Sequence, residues 1–314
     1  MYKVCFIGVG SIGKRHIQNL DKIFREKGEK IQIDVCRSGK GKLLDKNIEN
    51  VITDIYYSPE DLPGDYDVIF ITNPTEHHLE TLQQVNDKAK NFFVEKPLTS
   101  IRQLQKVYDI QETKGKVYYV ACPLRYTKVI QYVKENIIKD NIYCVRCIYS
   151  SYLPEWRPGQ DYKKTYSAHK DMGGGVAIDL IHEWDYIRYL FGSPKKVEKV
   201  IDKVSNLEID SEDIAAYIGK FDDKVLELHL DYFGRVPIRE MQIYTDEETI
   251  ICDLIKSQIC YLNSKEVLDL PEERNDFQEA ELKKFFDIIE GKCENTNTLK
   301  DAYETLLLTQ GVAE

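Results

Sequence analysis

The 314-residue sequence has no apolar stretch near the roughly 18–20 residues that a helix needs to cross a bilayer. It also lacks a basic balance: the formal net charge is −10, which argues against generic binding to nucleic acid or anionic membranes. The first apolar run is short and ends in glycines, so it does not form a signal-peptide pattern. We therefore expect a cytoplasmic protein that binds neither nucleic acid nor membrane.

Cysteine pairs with the spacing of a zinc site are missing too. Cys144 and Cys147 match C-x-x-C in letters, but their segment is typical of a strand, where side chains three apart point to opposite faces. Cys5 and Cys36 lie in apolar runs, where a thiol behaves as a small core residue. We expect no metal site and no disulfide.

The sequence opens with the pattern of a strand, a glycine-rich turn and a helix. The apolar residues 4–7 precede G-x-G-x-x-G, and an amphipathic segment follows over residues 11–27. The first glycine allows a tight turn, the second lets the backbone approach a pyrophosphate, and the third lets helix and strand pack closely. The pyrophosphate would lie on the free N–H groups at the helix N-terminus. The predicted cofactor-binding residues here are Gly8, Gly10, Ser11, Ile12 and Gly13.

Strand and helix patterns alternate over the first 120 or so residues, which predicts a parallel sheet covered on both faces. Later strand patterns follow one another through short turns and favour an antiparallel sheet. We predict an α/β fold in which residues 1–122 form a doubly wound dinucleotide-binding domain and residues 123–314 a second α/β domain. The predicted helices lie at 11–27, 76–87, 100–113, 126–138, 178–190, 277–290 and 298–309, and the predicted strands at 4–7, 31–36, 67–72, 91–94, 116–121, 142–149, 197–204, 214–221, 225–233, 240–245, 249–253 and 258–262.

The second strand ends in a residue that bears on cofactor choice. Arg37 stands where NAD enzymes usually carry an acid for the ribose 2′-hydroxyl, and Asp34 lies earlier, inside the strand. A guanidinium pairs well with a 2′-phosphate, and Ser38 and Lys40 would add donors. The alternative is a solvated basic loop. We predict NADP or NAD as cofactor, with NADP favoured.

Two further segments carry candidate catalytic residues. Lys96 is at the carboxyl end of a parallel strand, where ligands bind in open α/β sheets, and Pro97 keeps it out of the helical conformation. Three glycines at residues 173–175 precede a predicted helix, on which Asp179 and His182 are three apart and share one face. An imidazole suits reversible proton transfer, and an ammonium stabilises a developing alkoxide.

Together these motifs resemble those of the glucose-fructose oxidoreductase / inositol dehydrogenase family. The resemblance covers nearly the whole chain and adds Thr72-Asn73-Pro74 followed by His77, Glu95 before Lys96, and Arg125. It implies a Rossmann domain, then a domain with a large, mostly antiparallel sheet that builds a homodimer or homotetramer. It also implies a reaction at a hydroxyl of a sugar, cyclitol or nucleotide sugar. One departure is that the histidine follows the aspartate by three residues, where the family's commoner spacing is four.

The resemblance implies roles for the matching residues. Lys96, His182 and Asp179 would be catalytic and would contact the substrate. Glu95 would orient Lys96 or contact the nicotinamide ribose, and Arg125 would lie near the nicotinamide or form a salt bridge between domains. The remaining cofactor contacts would come from Thr72, Asn73, Pro74, His77, Glu95, Lys96 and Arg125.

The segment 152–166, rich in aromatic and cationic residues, is the candidate substrate loop. Aromatic faces stack on sugars and cations bind phosphate or carboxylate, so we predict substrate contacts from Trp156, Arg157, Tyr162 and Lys163. The substrate would then be an anionic sugar, such as a nucleotide sugar. The loop resembles those of family members linked to bacterial surface-polysaccharide sugars. The alternative is a solvated or interface loop with Trp156 packed inside.

The favoured hypothesis is therefore an NAD(P)-dependent sugar dehydrogenase or reductase. Two alternatives remain open at this point. One is an NAD-dependent glycoside hydrolase of the same fold, which oxidises its substrate transiently with a tightly held cofactor. The other is a regulator that binds the dinucleotide without catalysis.

Overall fold

Apolar runs near the N-terminus form a parallel sheet in the computed structural model, which describes residues 1–39 and 44–313. Its strands are β1 Tyr2–Ile7, β2 Ile31–Cys36, β3 Ile55–Tyr56, β4 Tyr66–Ile71, β5 Ala89–Val94 and β6 Val117–Val120. They are ordered β3-β2-β1-β4-β5-β6, so the chain order reverses between β1 and β4. Open α/β sheets bind ligands outside the carboxyl ends of their strands at such a reversal. The predicted doubly wound sheet is confirmed.

The helices of this part of the chain are α1 Ser11–Glu26, α2 Lys46–Glu49 and α3 His78–Gln84. The helix predicted at 76–87 begins as the 3₁₀ turn Thr75–His77. The helix predicted at 100–113 is a 3₁₀ helix over Ile101–Asp109. Leu104 is its buried side chain, so tertiary packing contributes little to enforce the α-helical pitch there.

The second sheet has eight strands, in the order β14-β13-β12-β11-β7-β10-β9-β8. Neighbouring strands are antiparallel except β7 and β10, which are parallel. The predicted mostly antiparallel sheet is confirmed. The short, polar β14 had no clear period in the sequence and was not predicted. These strands are β7 Ile142–Tyr152, β8 Lys196–Asp202, β9 Ile214–Lys220, β10 Val225–Asp231, β11 Phe233–Thr245, β12 Thr249–Asp253, β13 Gln258–Tyr261 and β14 Glu266–Asp269.

Two of the predicted helices differ from the observed ones. The helix predicted at 126–138 starts as α4 Lys128–Tyr132 and continues with π-helical pitch over Val133–Ile137. The helix predicted at 178–190 is wrong as one continuous element. It consists of α5 Val176–Asp179 and α6 Ile181–Phe191, separated by Leu180 at φ −99° and ψ 29°.

The C-terminal helices are α7 Asp276–Ile289 and α8 Leu299–Thr309. The chain divides into two compact units, of which the first comprises Met1–Pro123 and Gln278–Tyr303. The second comprises Leu124–Phe277 and the residues from Glu304 onward. Our division at residue 123 differs from these units because residues 278–303 pack with the first one. Over the described residues, no helix is both long and apolar enough to traverse a membrane.

Candidate functional site

Three strand ends bring candidate residues to one edge of the first sheet. Gly8, Thr72 and Glu95 each follow directly on β1, β4 and β5. The Thr72 amide donates to the Ile7 carbonyl at 2.9 Å, and the Glu95 amide donates to the Ile71 carbonyl at 2.9 Å. The glycine turn, the Thr72 segment and the Glu95 segment are therefore adjacent at the reversal point of the sheet.

The three motif glycines have different surroundings. Gly8 has φ +96°, and a Cβ there would lie 2.6 Å from the Cα atom of Asn73. A Cβ on Gly13 would overlap the carbonyl of Gly8. A Cβ on Gly10 would meet nothing within 4 Å. Packing within the chain thus requires the first and third glycines. The second borders open space at the start of α1, where the first-turn N–H groups have no partners within the helix, which is the arrangement that pyrophosphate binding requires.

Two neighbouring histidines follow Thr72-Asn73-Pro74, and they face different surroundings. His77, which we predicted to bind the cofactor, is exposed, with Nδ1 3.9 Å from the Glu80 carboxylate. His78 is buried, with Nε2 2.8 Å from the Asn73 carbonyl oxygen and Nδ1 3.0 Å from the Pro97 carbonyl oxygen. Burial lowers the pKa of His78 despite these acceptors. His78, which the sequence did not single out, therefore links the segments on either side of the site.

The strand tip that carries Lys96 is held by a buried contact. Nε2 of His16 lies 2.6 Å from Oε1 of Glu95. The other carboxylate oxygen of Glu95 accepts the backbone N–H of Lys96 at 3.2 Å. Lys96 itself is half-buried. One of the two roles predicted for Glu95 was to orient Lys96, and the backbone contact is of that kind. The sequence did not single out His16.

The acid inside the second strand is already engaged. Asp34 is fully buried and accepts hydrogen bonds from the Tyr66 hydroxyl at 2.8 Å and the Gln32 amide at 3.2 Å. Arg37 follows β2 at the carboxyl edge of the sheet, and its backbone N–H donates to the Tyr56 carbonyl at 3.0 Å. Ser38 is exposed, and Lys40 lies outside the described residues. The engaged carboxylate of Asp34 is therefore not placed to accept from a ribose hydroxyl.

In the second unit, the triple glycine allows close packing around α5. A Cβ on Gly174 would overlap the Tyr166 carbonyl. Gly175 has φ +134°, and a Cβ there would overlap the Glu212 carboxylate. Burial raises the pKa of Glu212, and the nearby charge of Asp179 adds to that shift. The short loop 173–175 therefore seats a carboxyl group against the start of α5.

Asp179 and His182 do not share one continuous helix face. Asp179 ends α5, is buried, and accepts the Tyr232 hydroxyl at 2.6 Å. Tyr166 lies near Asp179, and burial, with the charge of that carboxylate, raises the pKa of the tyrosine. His182 lies half-buried in the first turn of α6, beyond the break at Leu180. The continuous helix behind the i, i+3 pairing is thus interrupted at Leu180, and the roles of both residues stay predictions. The sequence analysis did not find Tyr166 or Tyr232.

Arg125 forms a buried salt bridge within the second unit. Its guanidinium meets both carboxylate oxygens of Asp185, and each side chain is 3% exposed. The guanidinium also lies 5.1 Å from the centre of the Tyr189 ring. We predicted that Arg125 would either lie near the nicotinamide or form a salt bridge between domains. The observed contact is a salt bridge, but it lies inside one unit. A role near the nicotinamide stays a prediction.

The candidate substrate loop folds into short 3₁₀ turns. Trp156 donates from Nε1 to the Ser151 hydroxyl at 2.7 Å, and its ring stands perpendicular to that of Tyr232 at 5.1 Å. These contacts agree with the alternative prediction, in which Trp156 packs inside the loop. Lys163 pairs with Glu208 at 2.7 Å. The Tyr162 hydroxyl accepts the Glu208 backbone N–H at 3.3 Å.

An open cavity of about 580 Å³ lies on the same loop. Two cations, Arg157 and Lys164, face it together with one carboxylate. The Arg157 guanidinium stacks over the Tyr166 ring at 5.1 Å. Of the four predicted substrate residues of this loop, Arg157 is thus the one that lines the cavity. The lining residues are Arg157, Gln160, Asp161, Lys164, Thr165 and Tyr166.

One cluster in the described residues has the composition of a metal site. Ligand atoms of His169, Asp171 and Asp210 lie within 4.8 Å of one another. Both ring nitrogens of His169 already have partners, Asp210 at 3.2 Å and the Lys163 carbonyl at 2.6 Å. The cluster is therefore accounted for by contacts within the chain, and we assign no metal to it.

Both halves of the chain match domains of one known protein family. Residues 2–122 match the oxidoreductase family domain with an NAD-binding Rossmann fold, and residues 134–314 match the C-terminal alpha/beta domain of the same family. The chain belongs to the Gfo/Idh/MocA oxidoreductase family. Members of this family are NAD-binding oxidoreductases, and the predicted family is confirmed. YrbE of Bacillus subtilis strain 168, an uncharacterized oxidoreductase, is 28% identical over 71% of this chain. The aligned part spans 62% of YrbE.

Solved structures share the fold at low sequence identity. Levoglucosan dehydrogenase in complex with NADH and levoglucosan superimposes with a TM-score of 0.81 at 18% identity, over 99% of this chain and 95% of that one. The WlbA dehydrogenase from Bordetella pertussis, in complex with NADH and UDP-GlcNAcA, gives a TM-score of 0.75 at 15% identity over the same shares.

Proposed function

We propose that the protein is an NAD(P)-dependent dehydrogenase or reductase that acts on a hydroxyl or keto carbon of a sugar, cyclitol or nucleotide sugar. The main support is the open space beside Gly10 at the N-terminus of α1, on the sheet edge that also carries Lys96. Similar folds that bind NADH with levoglucosan or UDP-GlcNAcA support the substrate class. The glycoside hydrolase and the regulator have no observation of their own in their favour.

The cofactor would be held by this chain in three places. The first-turn N–H groups of α1, beginning at Ser11, would bind the pyrophosphate. Arg37 and Ser38, past the end of β2, would bind a ribose 2′-phosphate, and we propose a preference for NADP(H) on this ground. Thr72-Asn73-Pro74 and Glu95, at the tips of β4 and β5, would contact the nicotinamide half. When bound, the nicotinamide ring accepts or donates the hydride.

The chain's own residues would move and stabilise charge at the reacting oxygen. Lys96 would hydrogen-bond this oxygen and stabilise developing alkoxide charge. His182 would take up or release the proton of the substrate hydroxyl. Asp179, fixed by the hydroxyl of Tyr232, would bind a further substrate hydroxyl.

We propose further that the substrate carries a phosphate or carboxylate, as in nucleotide sugars of surface-polysaccharide metabolism. The support is the loop cavity with Arg157 and Lys164, in a chain with a net charge of −10. A guanidinium stacked on an aromatic ring keeps its N–H groups directed, which favours bidentate binding of an anion. Arg157 over Tyr166 has this arrangement.

The second sheet supports a further proposal, a homodimer or homotetramer that uses its exposed face. Val200 of β8 is 62% exposed and Ile218 of β9 is 49% exposed. Exposed apolar side chains on a broad sheet are a feature of protein interfaces. Light scattering of the purified chain measures the assembly directly, and a monomer over the working concentration range would contradict it.

The test of the proposed function is turnover of NADPH and NADH with a panel of nucleotide sugars, sugar acids and neutral sugars. Lys96→Ala and His182→Ala should each reduce kcat by about a hundredfold or more, with the dinucleotide Kd near that of the wild type. Retained turnover in either variant removes that residue from the mechanism. A cofactor that survives dialysis while a glycoside is hydrolysed, with no net change in reduced nicotinamide, would identify the hydrolase instead. Dinucleotide binding without turnover on any substrate would identify the regulator.

A further inference from the structure

A buried acid–base contact connects the glycine-rich helix to the lysine strand tip. His16 lies on α1, three residues after Gly13, and is 1% exposed. Glu95 follows β5 and is 8% exposed. Their closest atoms, Nε2 and Oε1, are 2.6 Å apart, although the residues are 79 positions apart in the chain.

As a means of holding a helix on a sheet, this contact is unfavourable in free energy compared with apolar packing. Burying an imidazole and a carboxylate removes both from water, and a well-packed apolar pair of the same volume is often equally stable or more so. The ring already has apolar neighbours, with its centroid 5.2 Å from that of Phe93 and 6.5 Å from that of Phe70. Packing alone therefore does not account for the polar groups.

The hydrogen-bond pattern fixes which group donates. In the described part of the chain, Nδ1 of His16 is buried and has no hydrogen-bond partner. A proton on Nδ1 would be unsatisfied, whereas a proton on Nε2 donates to the Glu95 carboxylate. His16 thus serves as an Nε2–H donor to one oxygen of Glu95, and the other oxygen accepts the Lys96 backbone N–H at 3.2 Å.

We propose that His16 is a positioning residue of the reaction, which acts through Glu95 to hold Lys96 in its working place and to keep a carboxylate beside it. This rests on the proposed function, in which Lys96 binds the reacting oxygen. It also places the orienting group on the helix that would bind the pyrophosphate.

The groups around Glu95 favour its ionised form. Burial raises its pKa, but the hydrogen bond from His16 on α1 opposes burial most strongly. Lys96, next in sequence, and His78 on α3 also face the carboxylate, and together these groups hold the pKa of Glu95 below its usual range. Loss of the His16 donor leaves burial with less opposition, so the carboxyl should gain a proton at higher pH.

The first experiment compares His16→Phe, which fills the volume without a donor, with His16→Gln, which restores an N–H donor. For His16→Phe we expect kcat to fall about tenfold or more, since small misplacements of a reacting group have large effects, while the KM for the dinucleotide changes little. The acid limb of the pH–rate profile should move to higher pH. His16→Gln should recover most of kcat. His229→Gln, which alters a histidine–carboxylate contact of 2.9 Å on the second sheet, is the matched control.

The second experiment does not depend on turnover. Glutamate carboxyl carbons labelled with ¹³C are titrated by NMR, and the Glu95 resonance is assigned with Glu95→Gln. We expect Glu95 to titrate below the usual range in the wild type and above it in His16→Phe. If His16→Phe does not fold, His16→Leu, which also removes the donor, and Glu95→Gln carry the test: each should lower kcat, and combining them should lower it no further than either alone.

Each result decides one idea. The positioning role would be overturned if His16→Phe and His16→Gln lost kcat equally and in proportion to their fall in melting temperature. It would also be overturned if the Glu95 titration did not change, or if the losses of kcat in the double variant were additive. An inactive wild-type protein in which Glu95 titrates below the usual range, and above it in His16→Phe, would count against the proposed function and leave the coupling between the two residues in place.

Discussion

Arg125 and Asp185 form a two-point ion pair in the second unit, with Nε–Oδ2 and Nη2–Oδ1 distances of 2.8 and 2.6 Å. Removal of one partner of such a buried pair leaves a charge away from water, so Asp185→Leu should lower the free energy of unfolding by about 3–5 kcal/mol. The control is Glu227→Leu, which breaks the exposed pair with Arg146 and should cost about 0–1 kcal/mol. Urea denaturation of both variants measures this. Similar small losses in the two would contradict the structural role of Arg125.

Substitutions at two motif glycines should separate effects on dinucleotide binding from effects on the stability of the fold. Gly13→Ala overlaps the Gly8 carbonyl and should destabilise the fold by about 1–3 kcal/mol. Gly10→Ala meets no atom within 4 Å, so its unfolding free energy should stay within about 0.5 kcal/mol of the wild type. Its dinucleotide Kd should nevertheless rise about tenfold or more, because the methyl group would occupy the ligand's space. Unfolding curves and fluorescence titration with NADPH check the pair, and unaltered binding in Gly10→Ala would remove the pyrophosphate from this place.

Arg37 should set the choice between the two nicotinamide cofactors. Arg37→Asp exchanges a 2′-phosphate partner for a 2′-hydroxyl partner, so the ratio of kcat/KM for NADPH to that for NADH should fall about tenfold or more. Arg146→Asp makes the same charge change on the exposed side of β7 and should leave the ratio unaltered. A wild-type protein that prefers NADH by a factor of about ten would show that the inference from Arg37 is mistaken.

The lining of the loop cavity should matter for anionic substrates alone. Arg157→Ala and Lys164→Ala should raise the KM for a nucleotide sugar or sugar acid by about tenfold, since each removes a charge-assisted hydrogen bond. The KM for a neutral sugar, and the effect of Lys139→Ala at another exposed lysine, should change little. A uniform rise in KM for neutral and anionic sugars would mean that the cavity shapes the loop without recognising charge.

Glu212 should make stability depend on pH in a defined direction. Its pKa is raised in the folded protein, so the folded state holds a proton that the unfolded state has already released. Stability should therefore fall as the pH rises from the ordinary carboxyl value through the raised one. Glu212→Gln should abolish this fall and keep the acceptor oxygen at the start of α5. Melting temperatures across that pH range test the sign, and a wild-type curve that rises there would refute it.

Local sequence patterns were enough for the glycine turn and for every strand except the short β3 and β14. Apolar runs such as that of β2, and the strict order of strand, G-x-G-x-x-G and helix, depend on neighbours a few residues away. The π-helical pitch after α4 depends on packing, which periodicity does not report. The break at Leu180 has the same origin, because tertiary contacts fix Asp179 at the end of α5. The 3₁₀ helix Ile101–Asp109 reflects the lack of packing that would hold the α-helical pitch.

The candidate site divides in the same way. Gly10, Arg37 and Lys96 could be chosen because their meaning lies in their position at strand ends. His16 could have been marked as buried, since it is on the apolar face of α1, but its partner is 79 residues away. His77 and His78 differ only in which one the turn directs inward. Such choices depend on the folded backbone and not on residue type.

The aromatic side chains of α7 complete the hydrophobic core of the first sheet, where Phe285 contacts Phe70 and Phe93. During synthesis all six parallel strands leave the ribosome more than 150 residues before that helix does. The hydrophobic core on one side of the nascent sheet therefore stays incomplete until α7 has been synthesised. A chimera that takes only its N-terminal half from a relative would therefore lack the α7 that matches this sheet. The helix has to be exchanged together with the strands.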